Sequence, residues 1–384
     1  MNLLARLSPT VVLRGPFRWS EAWWPVVAAL FSRVVLAGLV FFVRHDVPLR
    51  PGLATTRNPF PNNIVLESLL RWDAGSYVKI ADVGYTGDGL EAFFPVYPLM
   101  MRTLGKVVGD TVTAGLLISN VAFVIDAILI YILARSALSI LASQRAVALF
   151  VFHPATIVLS SVYTESLFIL LATGSLLLAR KQRILPAVVL AGIATATRMP
   201  GVALIPAIAL YALRGSGFRL RFLRARHVLG LLATVLVPIG LLFFALHLKR
   251  KVGDPLAFLH AGALWKRSLA PPWAAFRNFF AYNGPIIGFN WCELVTVSMA
   301  IVAAALGFFV LELPLAVFTV VSLMLPLSSS IISSTQRYTA TAVPLYLVLA
   351  IASHRAMPRL MILSVWFAAS AFTATMFVLG YWAG

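Results

Sequence analysis

Acidic residues and cysteine are the two scarcities of this 384-residue chain. Thirteen Asp and Glu stand against 31 Lys and Arg, and Cys292 is the single cysteine. One thiol excludes an intrachain disulfide and a cysteine-based zinc site, and it leaves the redox compartment unread. Charged residues amount to 11%, against about a quarter in a soluble domain. No Walker A pattern occurs, so ATP-driven transport has no engine in this chain. No close His/carboxylate spacing such as H-E-x-x-H occurs either, which argues against a zinc site. Low-complexity tracts and repeats of fixed period are also missing. The net charge of +18 is therefore read against a membrane surface rather than nucleic acid, since no RNA- or DNA-binding module interrupts the apolar runs.

What the chain has in abundance is hydrophobic sequence, 60% of all residues, in runs long enough to cross about 30 Å of hydrocarbon. The reading is an all-α polytopic membrane protein, a single integral membrane domain over 1–384 with about ten or eleven transmembrane helices. The expected spans are 23–43, 112–134, 146–163, 166–179, 184–199, 201–213, 228–247, 289–311, 313–333, 340–353 and 360–382. Arg6, Arg14 and Arg18 precede the first run, which is too long for a signal-peptide core and is expected to be retained. Basic stretches at Arg135 to Arg145, Arg180 to Arg183, Arg214 to Arg226 and Arg355 to Arg359 then fall inside by the positive-inside rule. Two long connections, 44–109 and 249–288, fall outside. They are rich in aromatic and apolar residues, so they are expected to be ordered. Val65, Leu69 and Trp72 recur at helical spacing, with Glu67, Ser68 and Arg71 on the other side. An interfacial helix and a short helix packed on the bundle both fit that pattern. The outer basic residues Lys249 to Lys251, Lys266 and Arg267 fit either lipid headgroups, the preferred reading, or a phosphate-bearing partner.

About half of the acids lie in the first outer segment. Its densest stretch is Arg71-Trp72-Asp73-Ala74-Gly75-Ser76-Tyr77, followed by Gly84-Tyr85 and Phe93-Phe94-Pro95-Val96-Tyr97. A carboxylate between a tryptophan and an Ala-Gly pair can be approached closely, and aromatic faces suit sugar rings. Asp73 is the candidate catalytic group, with Arg71, Trp72, Tyr77, Tyr85, Phe94 and Tyr97 as candidate substrate contacts. The plain alternative has Asp73 capping a helix or pairing with Arg71. Asp126 and Arg33 lie inside apolar runs, where an ionisable group is costly, and are expected to pair with other helices rather than to do chemistry.

In this order and spacing the motifs resemble the PIG-V family, the GPI mannosyltransferase 2 group. The matching elements are Arg71 to Ala81 with Gly84-Tyr85 and Ala92 to Pro95, then Pro154-Ala155 to Phe168. Further on come Ala194 to Arg198 with Gly201 and, more loosely, Arg337-Tyr338 with Pro344. The resemblance implies a GT-C type glycosyltransferase that uses polyprenyl-phosphate mannose on the extracytoplasmic or lumenal side and forms an α-mannoside. Chain length and arginine usage fit a bacterial plasma-membrane relative. The GPI acceptor does not carry over, which leaves a lipid or glycan acceptor.

Polyprenyl phosphate is already a competent leaving group, so one base and direct inverting displacement suffice, unlike the two carboxylates of glycoside hydrolysis. Asp73 is expected as that base. Arg198 and Arg337, at outer helix ends, are expected to meet the departing phosphate or else to snorkel to the interface. Glu165 either binds sugar hydroxyls or fixes Arg198 or a helix end. His260 is a further candidate contact, set against an ordinary loop role. The first outer segment has no D-x-D pair, so no metal or other cofactor is expected. A GT-C enzyme with another sugar or a protein acceptor is the nearest alternative. A transporter is the alternative from another class, and it lacks a path of deep charges and repeat-related halves.

Overall fold

The computed structural model describes residues 18–51, 56–217, 223–265, 267–281 and 288–381. Arg6, Arg14, Lys266 and parts of both outer segments lie outside the described residues. Helices dominate, and the sole β pairing among the described residues is an isolated bridge between Leu269 and Ser329. Helix α1 (Trp23–Asp46) leads into the first long segment. That segment folds into α2 (Ile64–Ser68), α3 (Asp73–Val83) and α4 (Val96–Val108). Asp110 then starts α5 (Thr111–Arg135), its carboxylate accepting the backbone N–H groups of Val112 and Thr113 at 2.8 and 2.9 Å. That is the exchange an N-cap residue makes for the unpaired donors of a helix start.

The run expected as one helix over 146–163 is divided. Helix α6 (Ile140–Val151) starts earlier, and α7 (Thr156–Ser160) follows a turn at His153-Pro154. Pro154 disfavours helical backbone at the residue before it, and His153 Nδ1 accepts the Ala155 N–H at 3.0 Å within the turn. Next come α8 (Glu165–Arg180), α9 (Ile184–Thr195) and α10 (Leu204–Leu213). The apolar run after Arg224 is bent: α11 (Ala225–Ala233) passes through a short 3-10 turn and Pro238 into α12 (Ile239–Val252). In the second outer segment lie α13 (Ala257–His260) and α14 (Pro272–Ala281). The chain finishes with α15 (Gly288–Val310), α16 (Leu313–Leu327), α17 (Thr335–Thr341), α18 (Pro344–Ala352) and α19 (Ala356–Val378). The expected runs 313–333 and 340–353 are thus three helices, with the short α17 inserted where one connection was read.

Six described stretches are long and apolar enough to cross a membrane: Trp19–Asp46, Thr111–Arg135, Met199–Ser216, Ala225–Val252, Trp291–Val310 and Ala356–Val378. Three shorter apolar helices, α6, α9 and α16, accompany them. The chain is a multi-pass membrane protein. Large apolar side chains such as Phe31, Phe42, Val189 and Phe243 are exposed on the outside of the bundle, the surface that lipid covers. Helix α8 sits at the centre, packed between α5 and α9 and touched by α17. Small residues let neighbours approach: a Cβ on Gly240 of α12 would overlap the Gly192 carbonyl oxygen of α9, the kind of contact on which membrane helices associate.

The two deep charges behave differently. Arg33 is paired across helices, donating to Thr156 Oγ1 at 2.5 Å and to the Ser160 hydroxyl, with its guanidinium 3.8 Å from the Phe123 ring centre. Asp126 is fully buried, and neither carboxylate oxygen has a hydrogen-bond partner among the described residues, which corrects the expectation that both would pair.

Candidate functional site

The site begins at a strained turn. Trp72 has φ 57° and ψ −119°, a conformation costly for a bulky residue and typically held only where the surroundings over-determine it. Here the Tyr163 hydroxyl does so from both sides. It accepts the Asp73 backbone N–H at 3.1 Å and donates to the Arg71 carbonyl at 3.2 Å. The turn cuts the helical pattern short, so α2 ends at Ser68 instead of running on to Trp72. Leu69, Leu70 and Arg71 are buried against the bundle. The segment is therefore a packed short helix, and Ser68 and Arg71 do not form an outward polar face. Arg71 pairs with Glu67 at 3.0 Å, which leaves Asp73 as the first residue of α3. The positive end of the helix dipole favours a carboxylate there.

Asp73 is met from the other end of the chain. Arg337 Nη1 donates to Asp73 Oδ2 at 2.5 Å, and Arg337 Nε lies 2.9 Å from Glu165 Oε1. The same Glu165 oxygen accepts Arg198 Nη1 at 2.5 Å, and that nitrogen also donates to Thr164 Oγ1 at 3.0 Å. Asp73, Arg337, Glu165 and Arg198 thus form one alternating chain of charges. Glu165 is fully buried and Asp73 keeps 12% side-chain exposure. Burial opposes ionisation of Glu165, but the Arg198 and Arg337 charges outweigh it and hold its carboxyl below the usual range. Burial likewise opposes the charge on Arg337, and Glu165 and Asp73 reverse that and raise it.

Aromatic rings frame these charges. The Arg337 guanidinium lies 5.1 Å from the Tyr163 ring centre, and that of Arg198 lies 5.1 Å from Tyr338, within cation–π range. Arg267 reaches in from the second outer segment, with Nη1 3.4 Å from the Tyr338 hydroxyl and Nη2 donating to the Ser333 carbonyl at 2.9 Å. Burial raises the Tyr338 hydroxyl, and the charges of Arg267, Arg198 and Arg337 together bring it below the ordinary tyrosine range. Ser334, just before α17, also has a left-handed backbone, with φ 69°. Both helices that bring Asp73 and Arg337 together thus start from strained residues.

Other expected contacts lie elsewhere. Tyr77 is buried beside the cluster, sharing a 3.1 Å hydrogen bond with Thr164. Tyr97 is fully buried, its hydroxyl donating to the Gly115 carbonyl at 2.9 Å and bonded to Ser119, so it holds α4 to α5 rather than facing a cleft. Tyr85 donates to the Phe93 carbonyl at 2.6 Å. Phe94 packs on Phe244 and Phe258. His260 bonds Asp254 at 2.6 Å on the surface, apart from the charge chain. Tyr163, Thr164 and Tyr338 were read as parts of the matching motifs and not as site residues, although Thr164 adjoins Glu165 and Tyr338 adjoins Arg337.

A groove of about 740 Å3 is lined by parts of the segments that carry Asp73 and Arg198, although none of the four charged residues lines it. Ile80 and Val83 of α3, Val189 and Ile193 of α9, and Leu236 and Phe243 are among its apolar lining. Arg102, His247 and Lys251 also line it. Ala196, another lining residue, accepts the Val96 N–H at 3.2 Å and stands two residues before Arg198. From Ile80 back to Asp73 is roughly 10 Å along α3.

A family model described as mannosyltransferase (PIG-V) matches residues 59–284, more than half of the chain. The chain belongs to that family. The PIG-V match contains Asp73, Glu165, Arg198 and Arg267, and Arg337 lies beyond it. Among named relatives, GPI mannosyltransferase 2 of Cryptococcus neoformans is 26% identical over 215 residues, 52% of this chain and 46% of its own. GPI mannosyltransferase 2 of Schizosaccharomyces pombe is 28% identical over 247 residues, 60% of this chain and 53% of its own. The chain thus spans about half the length of the curated relatives it matches. The crystal structure of the Archaeoglobus fulgidus oligosaccharyltransferase tethered with an acceptor peptide aligns with 93% of this chain and 56% of its own. Its TM-score is 0.44 and its identity 13%, too distant a likeness to bear on mechanism.

Proposed function

We propose that this chain is a GT-C type mannosyltransferase that moves mannose from a polyprenyl-phosphate donor to a lipid or glycan acceptor at the extracytoplasmic face. The observation that carries this reading is the charge chain Asp73–Arg337–Glu165–Arg198 in a PIG-V family member, with an apolar groove lined by neighbouring turns of the same segments. The groove suits an isoprenoid chain entering from the bilayer. The arginines suit the phosphate, whose charge grows as the sugar leaves, and a preorganised guanidinium is strongest toward such developing charge. Arg267 adds a third cation beside Tyr338.

In the step proposed, the acceptor hydroxyl oxygen attacks the anomeric carbon of mannose. Its proton passes to Asp73, the carbon–phosphate oxygen bond breaks, and polyprenyl phosphate departs with the bonding electrons. Attack from the face opposite the leaving group inverts that carbon and gives an α-mannoside from a β-linked donor. Arg337 donates to the Asp73 carboxylate and fixes its orientation, and a base must stand within hydrogen-bond reach of the proton it takes. Glu165 keeps the two arginines together despite their like charge. Bacterial plasma membrane is the proposed location, and arginine rather than metal the proposed source of positive charge. The test supplies purified protein with polyprenyl-phosphate mannose and a membrane lipid extract, with and without a chelator. Mannosyl transfer unaffected by the chelator is expected. Transfer from polyprenyl-phosphate glucose alone would overturn the donor assignment, and loss with chelator would overturn metal independence.

A further inference from the structure

A second cavity, of about 440 Å3, lies near the opposite end of α8 from the charge chain. Arg180, Gln182, Arg214, Gly215, Arg226 and His227 are among its lining residues. Helix α8 begins at Glu165 and ends at Arg180, so the two places are roughly 22 Å apart along its axis. The mannosyl-transfer reading uses nothing here.

Charge in this cavity is unbalanced. Glu312 accepts Arg180 Nη2 at 2.7 Å and Arg214 Nη1 at 2.9 Å. Burial raises the Glu312 carboxyl, but its bonds to Arg180 and the charges of Arg180 and Arg214 bring it below the usual range. One carboxylate therefore stands among three guanidiniums, because Arg226 joins without an acid of its own among the described residues. No lining residue is acidic.

Hydrogen bonding at His227 is unbalanced too. The ring is 2% exposed, and its Nδ1 accepts the Arg224 backbone N–H at 3.1 Å. That bond, while made, leaves the ring proton on Nε2. Arg226 Nε–H points at the same Nε2 from 3.2 Å. Nε2 is thus the acceptor Arg226 Nε has here, but a neutral ring accepts at one nitrogen only, so the two bonds compete and one donor is left over. Gly215 keeps the space beside them open, since a Cβ there would stand 2.8 Å from His227 Nε2. An oxyanion is the group that accepts from both donors and offsets the excess charge, and arginine forks match phosphate oxygens in particular.

We propose that this cavity binds a phosphate group, with Arg226 and His227 Nε2 as its donors and Arg180 and Arg214 as flanking cations. A phospholipid headgroup and a soluble phosphate share that chemistry. The test uses the full chain in neutral detergent at fixed ionic strength. It is titrated with inorganic phosphate in one arm and with short-chain phosphatidylglycerol in the other, with short-chain diacylglycerol as the neutral control. Thermal unfolding and native mass spectrometry report binding. Arg226→Ala is the variant, because Arg226 is exposed and bonds no carboxylate, and Arg226→Lys is its conservative partner. Saturable binding weakened about tenfold by Arg226→Ala is expected, the size of one lost charge-assisted hydrogen bond, with partial recovery in Arg226→Lys. Binding in both arms marks a phosphate site open to soluble anions, and binding of the lipid alone marks a headgroup site. Absence of binding in both arms, or equal binding by wild type and Arg226→Ala, overturns the proposal.

Discussion

Asp73 and Arg337 meet across 264 residues of chain, a carboxylate with 12% side-chain exposure against a buried guanidinium. Glu165, fully buried, is what lets Arg198 and Arg337 share one place. Removing its charge leaves two buried cations without their common acid, a change that typically costs several kcal/mol. Glu165→Gln is therefore expected to lower stability by about 3 kcal/mol and to abolish transfer, measured as the shift in thermal or denaturant unfolding of the purified protein. A midpoint unchanged from wild type would show that Glu165 is not the keystone of the cluster. All four members of this chain were legible in the sequence, because acids are rare and each charged residue sits in a recognisable run. Of their pairings, that of Glu165 with Arg198 was among the expectations, whereas those of Arg337 with Asp73 and Glu165 were not. Arg71 stands two residues from Asp73 and looks like its partner, but the Trp72 turn directs Arg71 to Glu67. Tyr163 stood in a matching motif without a role, because its part in the site is a hydroxyl bonded to backbone atoms of a distant turn, and no local pattern records that.

Among the elements, hydrophobic periodicity located the long helices and failed where backbone chemistry intervenes. His153-Pro154 divides one expected span, and the left-handed Ser334 starts α17 inside what read as a connection. Both breaks serve the site, the first by placing Tyr163-Thr164-Glu165 after a short helix and the second by turning Arg337 inward. The groove between α4, α9 and α12 could not be read from sequence at all, since it depends on the close crossing at Gly192 and Gly240. Val189 is exposed and lines it, so Val189→Trp should narrow the groove without disturbing the core. A raised KM for a long polyprenyl donor is expected, with little change for a donor carrying a short isoprenoid. Equal effects on both donors would show that the chain does not lie there.

On the scale of the whole molecule, the charge chain and the basic cavity lie near opposite ends of α8, and we propose from the distribution of arginine that the cavity faces the cytoplasm. In a Cys292→Ser background, a cysteine replacing Lys181 should react with an impermeant maleimide only after the membrane is opened. One replacing Asp88, in the first outer segment, should react in intact cells. The reverse pattern would invert the protein and move the proposed chemistry to the other side.

The decisive comparison is between wild type and Asp73→Asn, purified and given radiolabelled polyprenyl-phosphate mannose with a lipid extract, donor binding being measured in parallel. Label transfer by wild type is expected to fall by at least about a hundredfold in the variant, at the low end of what a general base contributes, while donor binding persists. Equal transfer by the two proteins would contradict the role given to Asp73 and with it the reading of the charge chain as the reacting centre.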